Sequence, residues 1–211
     1  METRRHPGIW PALLRIARWA DAPAVLAGRA VSWLMLPLIA IIIFDALSRK
    51  FLRKLPFVIE NDLHDYLNSP VFQDAEWHLH TIIFLGALGY AYSRNAHVRL
   101  DIFRPRLGAR GRMLVELAGG VLLLAPFLAI FSYYGWEFFL SAWVSDENSG
   151  PSNGIGNRWI IKFFLFLGPV LLFLSGLSMA LRLCVRLFGP EELAAAADVD
   201  RIADSGFSAF N

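Results

Sequence analysis

Residues 22–44, 77–93, 117–136 and 163–181 run almost without charge, and only Arg29 interrupts them. A bilayer core about 30 Å thick needs roughly 20 apolar residues of helix to cross it. The pattern predicts an all-α integral membrane protein with four transmembrane helices plus short amphipathic interfacial helices. The spans are expected at about 24–47, 72–93, 113–143 and 159–187. They form one membrane domain over residues 1–211, with 188–211 as a cytoplasmic tail.

Finer periodicities decorate these spans. In residues 9–20, Ile9, Leu13, Ile16 and Ala20 share one helical face, with Trp10 and Ala17 beside it and Arg15 and Arg18 elsewhere. Two readings fit: a helix lying in the lipid interface, or a lead-in to the first span. Pro37, Pro126 and Pro169 fall inside spans one, three and four. Each removes a backbone hydrogen bond, which predicts a kink that packing neighbours can accommodate. Ser69 and Pro70 read as the N-cap and first residue of span two. Asp74 and Glu76 then sit in early turns, where negative charge suits the helix dipole. Leu63, Tyr66 and Leu67 have helical spacing in one loop, and Leu100, Ile102, Phe103 and Leu107 mark an amphipathic segment in the next. Residues 145–157 are rich in Ser, Asn, Gly and Pro and read as an exposed, turn-filled loop.

Composition adds the orientation. Of 211 residues, 56% are hydrophobic, which leaves no room for a large soluble domain. A net charge of +2 is too small to point to nucleic acid. Thirteen Lys and Arg lie before span one, between spans two and three, or after span four, against six in the other two loops. Basic residues favour the cytoplasmic side, so both termini are expected there. The cluster at Arg49, Lys50, Arg53 and Lys54 runs against this count. A cleaved signal peptide is the alternative for span one. Its apolar run is too long for that, and Arg49 and Lys50 follow without a small-residue cleavage site. Cys184 is the single cysteine, so no internal disulfide forms.

The chemistry is sparse. No Asp, Glu, Lys or Arg occupies the middle of a span, where a self-sufficient pump would hold its ion or proton. His78 and His80 tempt a metal or haem reading. Residues two apart on a helix differ by about 200° in direction, so the pair cannot share one ligand. No metal or cofactor site is predicted, and no nucleophile-and-base set, phosphate loop or CxxC pair appears. The chain reads as an accessory subunit rather than an enzyme. A haem- or quinone-linked membrane anchor of a redox enzyme and an autonomous four-helix exporter are the rival readings.

Four stretches occur in order. They are Gln73-Asp74-Ala75-Glu76-Trp77, then Gly86 to Tyr92, then Arg94-Asn95-Ala96-His97-Val98-Arg99-Leu100-Asp101, then the stretch from Ser149-Gly150-Pro151 to Ile161-Lys162. Together they resemble the small permease subunit of tripartite ATP-independent periplasmic (TRAP) transporters, the DctQ-like family. The resemblance covers roughly residues 25–187. The last motif is similar to a branch often associated with mannitol or chloroaromatic compounds, although Ile155 and Gly156 stand where that branch more often has Leu-Pro. The resemblance implies a scaffold for a large multi-span permease, fed by a periplasmic solute-binding protein. Uptake would be driven by an ion gradient, commonly Na+, without ATP hydrolysis, and would carry an organic acid or related small solute. Glu76 and Trp77 are expected to anchor span two at the outer interface. His97, Arg99 and Asp101 are expected either to cap the Arg-rich inner loop or to form a solvated charged loop.

Overall fold

The computed structural model describes residues 8–61, 70–96, 106–147 and 155–199. Every regular element among them is helical. The long helices are α1 (Ile9–Ser32), α2 (Met35–Lys50), α4 (Pro70–Ser93), α6 (Ala125–Val144) and α7 (Trp159–Phe188). The shorter α3 (Pro56–Glu60), α5 (Ala109–Gly119) and α8 (Glu191–Ala194) join them. Among the described residues, three stretches are long and apolar enough to cross a bilayer: Ile9–Lys50, Ala109–Val144 and Trp159–Phe188. The helix expected as span two, α4, has 24 residues, but Gln73, Asp74, Glu76, His78 and His80 dilute its apolar run, and it is not among the three. Pro70 opens it as expected. Ser69 and the segments around Leu63 and Ile102 lie outside the described residues.

The three prolines act differently. Pro37 cannot donate to the Trp33 carbonyl, and the helix breaks one turn earlier, between α1 and α2. Leu36 N takes that carbonyl at 3.3 Å and Leu38 N resumes the helix on Leu34 O at 3.1 Å. Pro126 deprives the Leu122 carbonyl in the same way, and the chain before it widens into a π turn over Gly120–Leu124. Such turns arise where the regular ladder is interrupted. Pro169 is buried within an unbroken α7. Its missing N–H frees the Leu165 carbonyl, and Gly135 of α6 packs there: a Cβ on Gly135 would lie 3.3 Å from that oxygen.

Helices α1, α4 and α7 form a mutually packed triangle, α6 covers another side of α7, and α2 leans on α4. Lipid tails are as apolar as leucine, so helices in a bilayer associate through close packing rather than exclusion of water. Small residues allow it here. A Cβ on Gly89 would meet the Leu171 carbonyl oxygen at 2.6 Å and Ala24 Cβ at 2.8 Å. A Cβ on Gly86 would meet Val31 at 2.8 Å, one on Gly168 would meet the Leu85 carbonyl at 2.8 Å, and one on Gly28 would overlap Tyr90.

The end of the bundle where α1 starts and α7 finishes adds detail to two expectations. The segment 9–20 is the unbroken first half of α1, which fits the lead-in reading, and residues other than the apolar face read from the sequence pack against the bundle. Leu14, Ala17, Ala24, Gly28 and Val31 are buried. Their spacing of three and four residues continues the seam that packs the rest of α1. Ile9 and Ile16 face outward at 65% and 52% exposure. The start of the tail, as far as Val199, packs on the end of the bundle. After Pro190 it folds back, and Ala197 and Val199 join Leu14, Met113, Leu183 and Val185 in one buried cluster. The apolar residues Leu193, Ala194, Ala197 and Val199 give the tail a face to bury, which a water-exposed strand would have left wet.

Candidate functional site

The opposite end of the bundle gathers the polar residues that sequence reading singled out, together with some that it missed. Glu76 and Trp77 lie in the second turn of α4. With His80 they line an open recess of about 290 Å³ whose far wall is Leu38 and Ile42 of α2. Glu76 is half-buried, whereas Trp77 is 73% exposed. Below them, His78 Nδ1 donates to the Asp74 carbonyl at 2.6 Å, which fixes the tautomer because a carbonyl can only accept. His78 and His80 point different ways, as their spacing requires. His97, Arg99 and Asp101 lie outside the described residues.

Further along α2 from Leu38 and Ile42, Asp45 is buried. Arg49 one turn on meets it twice, Nη2 to Oδ2 at 2.6 Å and Nε to Oδ1 at 3.0 Å. This bidentate pairing neutralises the carboxylate near the helix end and satisfies both its oxygens.

The two ends of the segment between α6 and α7 are tied together, while residues 148–154 lie outside the described residues. Lys162 pairs with Glu147 Oε2, and Arg158 Nη1 lies 3.9 Å from Oε1. The Arg158 amide donates to the Glu147 carbonyl at 3.2 Å. Ile155 N donates to Asp74 Oδ2 at 3.0 Å, which ties the same loop to α4. Lys162 Nζ also sits 3.8 Å from the centre of the Phe138 ring, a cation–π contact. Trp136, Phe139, Trp143, Trp159, Phe163 and Phe166 interlock at centroid distances from 4.6 to 6.4 Å along the α6–α7 seam. Aromatic pairs of this kind stiffen a contact beyond their area. The exposed loop expected at 145–157 lies mostly outside the described residues; the sequence signal for the clamp at its ends is Glu147 and Lys162 flanking it with opposite charge.

The Lys162 hydrogen bond holds the Glu147 carboxyl below the usual carboxylate range; partial desolvation opposes this, and the Lys162 and Arg158 charges reinforce it. A carboxyl depressed in the folded state contributes its stability above the unfolded value and loses it as pH falls through the folded one. The Tm advantage of the native chain over Glu147→Gln is therefore expected at neutral pH and to shrink as the pH drops below 4.5. Thermal unfolding of the two chains between pH 7 and pH ~3.5 reads this directly.

The family described as "Tripartite ATP-independent periplasmic transporters, DctQ component" matches residues 38–186. The chain belongs to this family. The match begins four residues into α2 and ends near the foot of α7, so it contains the recess, the loop clamp and the aromatic seam. DctQ proteins are membrane components of TRAP transporters, not enzymes, and they work in complexes with a large permease and a binding protein. This DctQ component is accordingly an inner-membrane protein of a transport system. No curated protein and no solved structure matches the chain.

Proposed function

We propose that this DctQ component is the fixed scaffold of a TRAP transporter. It crosses the membrane four times with both termini cytoplasmic and holds a large multi-span permease through the α2–α4 face. A periplasmic binding protein delivers the solute, an organic acid or related small molecule, and an ion gradient drives its uptake through the large subunit. The observation that carries the reading is the family match over a bundle whose apolar cores, 117–136 and 163–181, contain no Asp, Glu, Lys, Arg or His. A helix bundle without a central charge offers no ion-coupling group of its own. Packing supports α4 as the fourth span, because it is wedged against both α1 and α7.

Glu76 and Trp77 are the proposed anchors of the permease contact. Trp is favoured at membrane interfaces and dominates many binding surfaces. Trp77→Ala and Glu76→Gln are each expected to lower recovery of the large permease with the tagged chain by about tenfold. Uptake into vesicles should fall in parallel. Unchanged recovery and uptake in both variants would remove this face from the interface. A tagged chain that brings down no large permease from native membranes, or that carries a haem band, would sink the scaffold reading. Reporter fusions after residues 8 and 199 test the orientation; a periplasmic signal from either reverses it.

A further inference from the structure

At the end of the bundle where α7 finishes, α1, α4 and α7 part around a polar cavity of about 230 Å³. One water needs only roughly 10–15 Å³ of such space, so this void has room for a polar group larger than water. Asp21, Arg94, Asn95, Ser175, Arg182 and Asp198 supply its polar lining. Ser175 is 1% exposed and donates to Asp21 Oδ1 at 3.3 Å. Arg182 Nε donates to Ser178 Oγ at 3.3 Å, and its Nη1 reaches the Ala197 carbonyl at 3.5 Å. The Arg94 guanidinium lies 5.4 Å from the centre of the Tyr90 ring. Asn95 adopts a left-handed backbone at φ 55°. Its Oδ1 is buried and has no hydrogen-bond partner among the described residues.

Two arginines and two carboxylates thus border one void, and among the described residues no ion pair joins them. Guanidinium groups suit phosphate oxygens. A carboxylate beside an unsatisfied amide oxygen suits an ammonium, which donates and never accepts. The cavity lies at the ends of membrane helices, the level at which polar pockets take lipid headgroups. Val25 and Met179 form an apolar margin from which acyl chains can run.

We propose that this cavity binds the headgroup of a phospholipid bearing both a phosphate and a primary ammonium, with the phosphate on Arg94 and Arg182 and the ammonium on Asp21, Asp198 and Asn95 Oδ1. Such a lipid ties α1, α4 and α7 together at a point where their side chains leave a gap.

The test uses the full chain, purified in mild detergent and stripped of lipid. Native mass spectrometry and thermal unfolding follow the addition of four probes. These are phosphatidylethanolamine, phosphatidylcholine (whose methylated nitrogen donates no hydrogen bond), phosphatidylglycerol (which lacks the cation) and inorganic phosphate. One phosphatidylethanolamine per chain is expected, retained about tenfold more tightly than either other lipid. Arg94→Gln should weaken all three lipids by about tenfold, whereas Arg110→Gln, an exposed site elsewhere, should change nothing. Asp21→Asn should erase the preference over phosphatidylglycerol. If that variant does not accumulate, Asp198→Asn gives the same reading at a left-handed position that asparagine tolerates. Equal retention of the three lipids by the native chain, or unchanged phosphatidylethanolamine binding in the variants, overturns the proposal. Stabilisation by inorganic phosphate equal to that by lipid would assign the cavity to a free anion and overturn it equally.

Discussion

Gly89→Ala, a change of one methyl group, is expected to lower the stability of the bundle by about 3 kcal/mol, the upper part of the range for overpacking a tight interior. The new Cβ would stand 2.6 Å from the Leu171 carbonyl oxygen and 2.8 Å from Ala24 Cβ. The first obstacle is backbone, so no rotamer change relieves it, and α4 must move off α7 or α1. In lipid the helices hold one another through this close fit alone, and a separation of a few tenths of an ångström forfeits much of the contact. Gly119→Ala is the matched control. Its Cβ would meet nothing within 4 Å and its backbone is helical at φ −61°, so alanine should be neutral or mildly stabilising there. Thermal unfolding in detergent, followed by tryptophan fluorescence and by size-exclusion recovery, separates the two. Equal midpoints for the two variants would show that the triangle of α1, α4 and α7 does not limit stability. Because α4 carries Glu76 and Trp77, the same variant should also reduce recovery of the large permease.

This glycine contact shows where sequence reading succeeds and stops. Hydropathy reports how deeply a segment sits: the expected 159–187 lies within a residue of the limits of α7, and the expected 113–143 falls inside the longer stretch Ala109–Val144. It says little about which helices are neighbours. Ala24 and Gly28, four apart, and Gly86 and Gly89, three apart, are small-residue pairs that could have marked the contact faces. Their partners come from distant segments, however, and no one-dimensional period links Gly89 to Leu171. The packing seam of α1 was hidden for a related reason. Lipid accepts the isoleucines at 9 and 16, so the small residues Ala17 and Ala24 take the interior. The polar cavity was invisible because Asp21, Asn95 and Arg182 each look like an ordinary helix-end residue until the fold brings them together. The Glu76-Trp77 pair could be singled out as a candidate because its motif is contiguous.

The tail cluster leads to the second large effect. Leu183→Ala is expected to destabilise the chain by about 3 kcal/mol, within the range for removing a leucine from a closed core. Leu183 is 1% exposed and packs among Leu14, Met113, Val185, Ala197 and Val199. The cluster sits where the helices leave the apolar layer and the folded-back tail covers them. Water competes for these surfaces, so both the transfer and the cavity contributions apply. Leu128 of α6 is comparably enclosed at 2% exposure, but it lies in the middle of a span. There lipid replaces water as the competing surroundings, the transfer contribution largely vanishes, and Leu128→Ala should cost clearly less. Hydrogen exchange gives the second readout. Leu183→Ala should raise exchange of the amides between 193 and 199 by at least tenfold, because the tail docks on the removed side chain, and Leu128→Ala should leave them protected. If the two substitutions cost the same and the tail amides stay protected in both, the inner cluster would be a lipid-covered contact rather than a water-excluding core.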